Sequence, residues 1–198
     1  CMSADTALRA NVRLLGDLLG RVLAEQEGQG MLDDEERIRA LARDARDGGS
    51  RDRLGEAVAG LDHDRQAAVL RAFALFFQLV NIAEQHHRRR RKRYYDLHTP
   101  DSPQRGSIAQ TLRQLKADNP RARAASLRRK LQSVVDHLDI VPVMTAHPTE
   151  AARRTLLEKH RRVADLLTAA DDAALPPRRR DEILQGLATE VEAIWLTD

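Results

Sequence analysis

Cysteine is nearly absent: Cys1 is the only one among 198 residues, so no disulfide can form within the chain. That fits a reducing compartment and leaves the fold to be held by burial. Met2 follows directly and reads as an alternative start. Aromatic residues make up only 3% of the chain, which argues against a platform for stacking nucleic-acid bases. Lysine occurs only at positions 92, 116, 130 and 159, so arginine carries nearly all the positive charge. No apolar run comes near the roughly 18 residues of a membrane span. The first residues, Cys1 to Asp5, lack a basic region followed by an apolar core, so no secretory leader is expected. No P-loop, dinucleotide fingerprint, serine nucleophile elbow or HExxH helix occurs. These absences point to a cytoplasmic protein without a membrane or nucleic-acid role.

What is present is a charged, helical, soluble composition: 42% hydrophobic, 32% charged, net charge +3. Arginine suits bidentate contacts with anions better than lysine does, although an Ala/Arg bias is also a matter of composition alone. The length allows one domain with a real core, or part of a larger one.

Apolar periodicity predicts about eight helices. Leu8, Val12, Leu15, Leu19 and Val22 make one stripe, ended at Gly28-Gln29-Gly30. Asp33 or Asp34 is expected to cap a second helix carrying Ile38, Leu41 and Ala45. A short third covers 51–59. Val69, Leu70, Phe73, Phe76, Phe77 and Val80 fill more than one face of a fourth, expected to be central to the core, which runs on through His86-His87. Residues 96–106 read as a loop. Ser107 and Gln110 fit a capping box, and Asp118-Asn119-Pro120 closes the helix it opens. A sixth spans about 121–137, with Leu127, Leu131, Val134 and Leu138 as its stripe. Pro176-Pro177 separates a seventh from the last, which holds Ile183, Leu187, Val191, Ile194 and Trp195.

Only one stretch reads as a strand, about 140–145. It ends in Thr145-Ala-His-Pro-Thr149, and a helix is expected to open with Pro148 in its first turn and run to about 169. His147 then stands between a strand's carboxyl end and a helix's amino end, where free N–H groups favour anions. It is the candidate general base; from position alone a helix-cap or structural role is the favoured alternative. Arg153 and Arg154 are candidate anion-binding residues, with solvated surface arginines as the alternative. The run Arg88, Arg89, Arg90, Arg91, Lys92, Arg93 suits an acidic partner or nucleic acid, but more often such a run is a solvated helix end. His86-His87 lacks companions for a zinc site. One strand among helices leaves its backbone unpaired, which predicts partner strands outside this sequence.

The stretch from Val143 to Glu150, followed by Arg153-Arg154 and on to His160, closely resembles phosphoenolpyruvate carboxylase, whose pattern is a Thr-Ala-His-Pro-Thr turn and then paired arginines on a helix. Leu8 to Gly20, Arg71-Ala-Phe73 with Asn81 to His87, and Trp195 to Asp198 resemble segments of the same family in the same order. The resemblance implies a predominantly α-helical, N-terminal portion of an elaborated (β/α)8 TIM barrel, with a helical region at 1–138 and the first β/α unit at 139–198. It implies an enzyme of oxaloacetate supply acting on phosphoenolpyruvate and bicarbonate with Mg²⁺ or Mn²⁺. His147 would be a catalytic residue, and Arg153 and Arg154 would match an effector-binding pair. Metal ligands and the phosphoenolpyruvate-binding arginines would lie beyond residue 198, so the chain alone is expected to be inactive. A homotetramer is the family's assembly. The alternative is a helical module that binds an acidic or nucleic-acid partner through residues 88–93.

Overall fold

A computed structural model describes residues 4–98, 102–104, 106–120, 124–139, 141 and 153–197. Every regular element among them is a helix: α1 (Ala4–Gln26), α2 (Gln29–Arg46), α3 (Arg51–Ala59), α4 (His63–His98), α5 (Ile108–Ala117), α6 (Ala124–Asp136), α7 (Arg154–Ala170) and α8 (Pro177–Trp195). The predominantly helical expectation is met. The strand expected at about 140–145 lies outside the described residues, apart from Val141, which is exposed and belongs to no regular element.

The chain forms two compact units, residues 1–88 with 152–198, and residues 89–151. In the first, α8 packs on α7 and α1, and α2 packs on α1 and α3. The periodic stripes become its core. Leu15, Leu18 and Leu23 of α1 meet Leu79 of α4, Val163 and Leu167 of α7, and Leu187 and Val191 of α8. Each fully buried aliphatic side chain contributes roughly 1.5–3 kcal/mol through water exclusion. Gly186 lets α8 come close to α7: a Cβ there would lie 3.3 Å from Leu166 Cδ1.

Several local readings need correction. α2 begins at Gln29, not at Asp33 or Asp34. Gly28, at φ 87°, makes a turn that other residues rarely adopt, and α2 starts immediately so that Met31 reaches the core. Asp33 instead accepts from Gln29 Nε2 (2.9 Å), and Asp34 pairs with Arg65 at 2.9 Å. α4 is less apolar all round than its composition implies. Val69, Ala72, Leu75, Leu79, Ile82 and Ala83 are buried, while Leu70 and Phe77, seven residues apart on the outer side, are 71% and 61% exposed. α4 also overturns the statement that no run nears a membrane span: it holds an 18-residue window of mean hydropathy 1.5. Only 33% of that window is buried in the core.

In the second unit Ser107 caps α5 by accepting from Gln110 N (3.2 Å). The Gln110 side chain reaches back to the Gly106 N–H, one residue before the cap, so the capping box is formed with a shifted second bond. The stripe of α6 is not a core: Leu131, Val134 and Val135 are exposed, and Leu138 lies beyond the helix end and is exposed too.

Candidate functional site

α7 opens at Arg154, later than the helix expected from Pro148. The first side chain of α7 that packs on the core is Leu156, followed by the buried Val163 and Leu167, and residues 148–152 lie outside the described residues. Arg153 stands at the N-cap with extended backbone (φ −52°, ψ 137°), and its carbonyl accepts from Leu156 and Leu157. Its side chain makes no capping bond. Arg154 pairs with Glu158 at 3.1 Å one turn on, in full solvent, where such a pair contributes little. Both candidate arginines are exposed beside first-turn N–H groups, an arrangement that favours anions. His147 lies outside the described residues.

The six cations at 88–93 do not end their helix. α4 continues to His98, the only basic residue of its last turn, so the run does not complement the helix terminus. Arginine is a good helix former, and nothing in the run breaks the helix. Five of the six are exposed and Arg90 is half-buried. Just beyond them Tyr94 stacks on His98, with ring centroids 4.4 Å apart.

His86 and His87 are both buried. His86 Nε2 lies 3.0 Å from Asp171 Oδ2 at the end of α7, and Nδ1 lies 3.4 Å from Thr168 Oγ1. The grouping superficially suits nucleophile activation, but Thr168 donates its proton to the Ala164 carbonyl at 2.8 Å. The imidazole therefore ties α4 to the end of α7. Among the described residues no group of three or more His, Cys, Asp or Glu is placed to hold a metal ion.

Three features escaped the sequence reading. The Arg71 guanidinium lies over the Trp195 ring, 4.8 Å from its centroid, and donates to the carbonyls of Trp195 and Thr197. It caps the end of α8, joining two segments separated by 124 residues. No local pattern announces such a pairing. Arg71→Ala is expected to cost about 1–2 kcal/mol, from the lost cation–π contact and the carbonyls left to water. Urea denaturation followed by the fluorescence of Trp195, the sole tryptophan, measures it; Arg71→Lys should recover part of the loss.

The second is His160, whose Nε2 meets Gln78 Oε1 at 3.0 Å. Burial holds its pKa below the ordinary value by disfavouring the charged ring. The unfolded chain therefore binds the proton more readily. Stability is complete above a pH of about 6.5 and falls as pH drops from there through the folded pKa. Denaturation midpoints between pH 8 and 5 should show that decline, and His160→Gln should flatten it. An unchanged slope in the variant would assign the decline to other groups.

The third is an open groove of about 460 Å³ along α1, lined by Val12, Gly16, Gly20, Leu32, Glu35 and Phe76 among others. Burial pushes the Glu35 carboxyl up, opposed by the nearby Arg39 charge and reinforced by Glu36.

Comparison with known proteins covers nearly the whole chain. The family described as phosphoenolpyruvate carboxylase matches residues 8–198. The phosphoenolpyruvate carboxylase of Aeromonas salmonicida (strain A449) is 41% identical over 194 residues, covering 97% of this chain and 21% of that protein. That of Ralstonia nicotianae is 39% identical over 196 residues, covering 98% and 19%. That of Acinetobacter baumannii is 36% identical over 198 residues, covering 98% and 21%. The chain therefore spans about a fifth of the length of these curated relatives.

Proposed function

This chain belongs to the phosphoenolpyruvate carboxylase family, and on that premise we propose that it is the N-terminal part of an enzyme converting phosphoenolpyruvate and bicarbonate to oxaloacetate and phosphate. The observation that carries the reading is the match over residues 8–198, a range that includes His147, Arg153 and Arg154.

In this reading bicarbonate attacks the phosphoryl group, giving carboxyphosphate and the enolate of pyruvate. His147 takes the carboxyphosphate proton, the carbon–oxygen bond to the phosphoryl group breaks to release CO₂ and inorganic phosphate, and the enolate carbon captures the CO₂. Imidazole suits that step because its pKa lies near neutrality. The labile intermediate needs a pocket closed to water. Arg153 and Arg154 are exposed at the start of α7, where they would meet an anionic effector, Arg154 giving up its Glu158 partner to do so. Mg²⁺ or Mn²⁺ is the metal of the family reaction, and in this reading its ligands lie beyond residue 198, no group of three or more His, Cys, Asp or Glu being placed to hold it among the described residues. The (β/α)8 barrel, the boundary near residue 138, a cytoplasmic site and a homotetramer complete the proposal. The binding-module alternative has no observation in its favour.

The test is direct. The purified 198-residue chain should form no oxaloacetate from phosphoenolpyruvate, bicarbonate and Mg²⁺ in a coupled malate dehydrogenase assay. The same chain joined to the remainder of the Aeromonas salmonicida relative should form it. Activity in the chain alone, or none in the joined protein, counts against the reading.

A further inference from the structure

α7 ends without a cation of its own. Its last turn holds no basic residue, although the carbonyls left over at a helix end favour positive charge. The side chain that comes to this end belongs to α4. His86 is 3% exposed, and both of its ring nitrogens face oxygens from the end of α7. Asp171, the C-cap, sets Oδ2 3.0 Å from Nε2. Thr168, in the last turn, sets Oγ1 3.4 Å from Nδ1. The Thr168 hydroxyl hydrogen is committed to the Ala164 carbonyl at 2.8 Å, so Oγ1 turns a lone pair towards the ring. A neutral imidazole has one N–H and one bare nitrogen. Here a bare nitrogen would oppose a lone pair at one position and a carboxylate at the other. A ring protonated on both nitrogens opposes neither. The Nε2 contact is close but bent away from the N–H line, so its attraction is chiefly that of opposite charges, which depends less on angle.

We infer that His86 is held as an imidazolium, and that its contact with Asp171 is a pH-sensitive latch closing α4 on the end of α7. Burial works against the charge. So do cations on α4 itself: Arg89 and Arg90 follow one turn on, and His87 is buried beside the ring. From α7 the facing groups are Thr168 and Asp171, while Asp172, the next residue, accepts from the Ala174 N–H (2.9 Å). A carboxylate at 3.0 Å outweighs cations a helical turn away, and the α7 terminus adds to it. A ring that holds its proton more firmly folded than unfolded contributes fully below a pH of about 6.5, and its contribution is lost as pH rises through the folded midpoint. That is the opposite sense to His160, whose contribution is lost towards acid. The alkaline loss frees the last turn of α7, which leads into the link to α8.

Ring nitrogen shifts in the ¹⁵N-labelled 198-residue chain test this. The chain has seven histidines, and the signal missing from His86→Gln identifies His86. Should that variant unfold, through-bond assignment of the native chain identifies the ring instead. Its passage from two ring protons to one should have a midpoint above the roughly 6.5 of an ordinary imidazole. Asp171→Asn removes the charge and keeps the shape, and should lower that midpoint by about one unit. In urea denaturation the native chain should lose stability between pH 6.5 and 9, and Asp171→Asn should lose less. A midpoint at or below about 6.5, or one unmoved by Asp171→Asn, overturns the inference.

Discussion

His147→Asn in the joined, full-length carboxylase is expected to lower oxaloacetate formation by about 100- to 10,000-fold, the contribution of a positioned general base. Asparagine keeps a hydrogen-bonding group of similar reach but cannot take a proton near neutral pH. The loss should fall on kcat, because a base for the intermediate acts after phosphoenolpyruvate has bound. The variant should also separate the two halves of the reaction. If phosphoryl transfer to bicarbonate still proceeds, phosphate release from phosphoenolpyruvate outlives oxaloacetate formation. Arg153→Ala with Arg154→Ala gives the contrast. Both side chains are exposed, and among the described residues Arg154 pairs with Glu158, so basal turnover should hold while any response to an anionic effector weakens. Unchanged turnover in His147→Asn would leave the turn a structural cap.

How far the sequence carries depends on the range of the interaction. The period of Leu8, Val12, Leu15, Leu19 and Val22 is a local property, and α1 follows from it. The same holds for α3 at Arg51–Ala59, for the Ser107 cap and for the start of α8 at Pro177. Errors came where a distant partner decides. Asp33 and Asp34 are good cap residues, but Met31 had to reach the core, so the helix begins ahead of them. Leu70 and Phe77 are as apolar as Val69, yet only position around α4 relative to α1, α7 and α8 tells which of them is buried. Arg71 over Trp195 and His160 on Gln78 join segments 124 and 82 residues apart, which periodicity cannot reveal. The candidate site is the opposite case. His147, Arg153 and Arg154 are read from a few consecutive residues, and of these the structure describes only Arg153 and Arg154. What they act upon is not legible in the same way, since a linear motif does not name its ligand.

The core of the first unit makes the other large prediction. Leu187→Ala should destabilise the 198-residue chain by about 2–5 kcal/mol. Leu187 is fully buried on α8, the helix that packs on both α7 and α1. Its removal opens a void among residues that cannot close it. Val191 and Ile183 are fixed on the same helix, while Val163 and Leu167 are fixed on α7. Gly186 beside it already holds α8 close to Leu166, so the two helices have little room to move together. Leu184, three residues earlier and 37% exposed, is the control. Leu184→Ala removes the same atoms from a site that water partly fills, and should cost less than about 1 kcal/mol. Urea denaturation of both variants, read through Trp195, checks the pair. Equal costs would mean that α8 is not held between α1 and α7 as described. The loss should carry over to function in the joined enzyme: α8 ends at Trp195, where Arg71 holds its last carbonyls, so loosening α8 loosens the exit of the chain at Thr197. Leu187→Ala should therefore lower the temperature at which the joined carboxylase loses activity, with kcat near its ordinary value below that temperature.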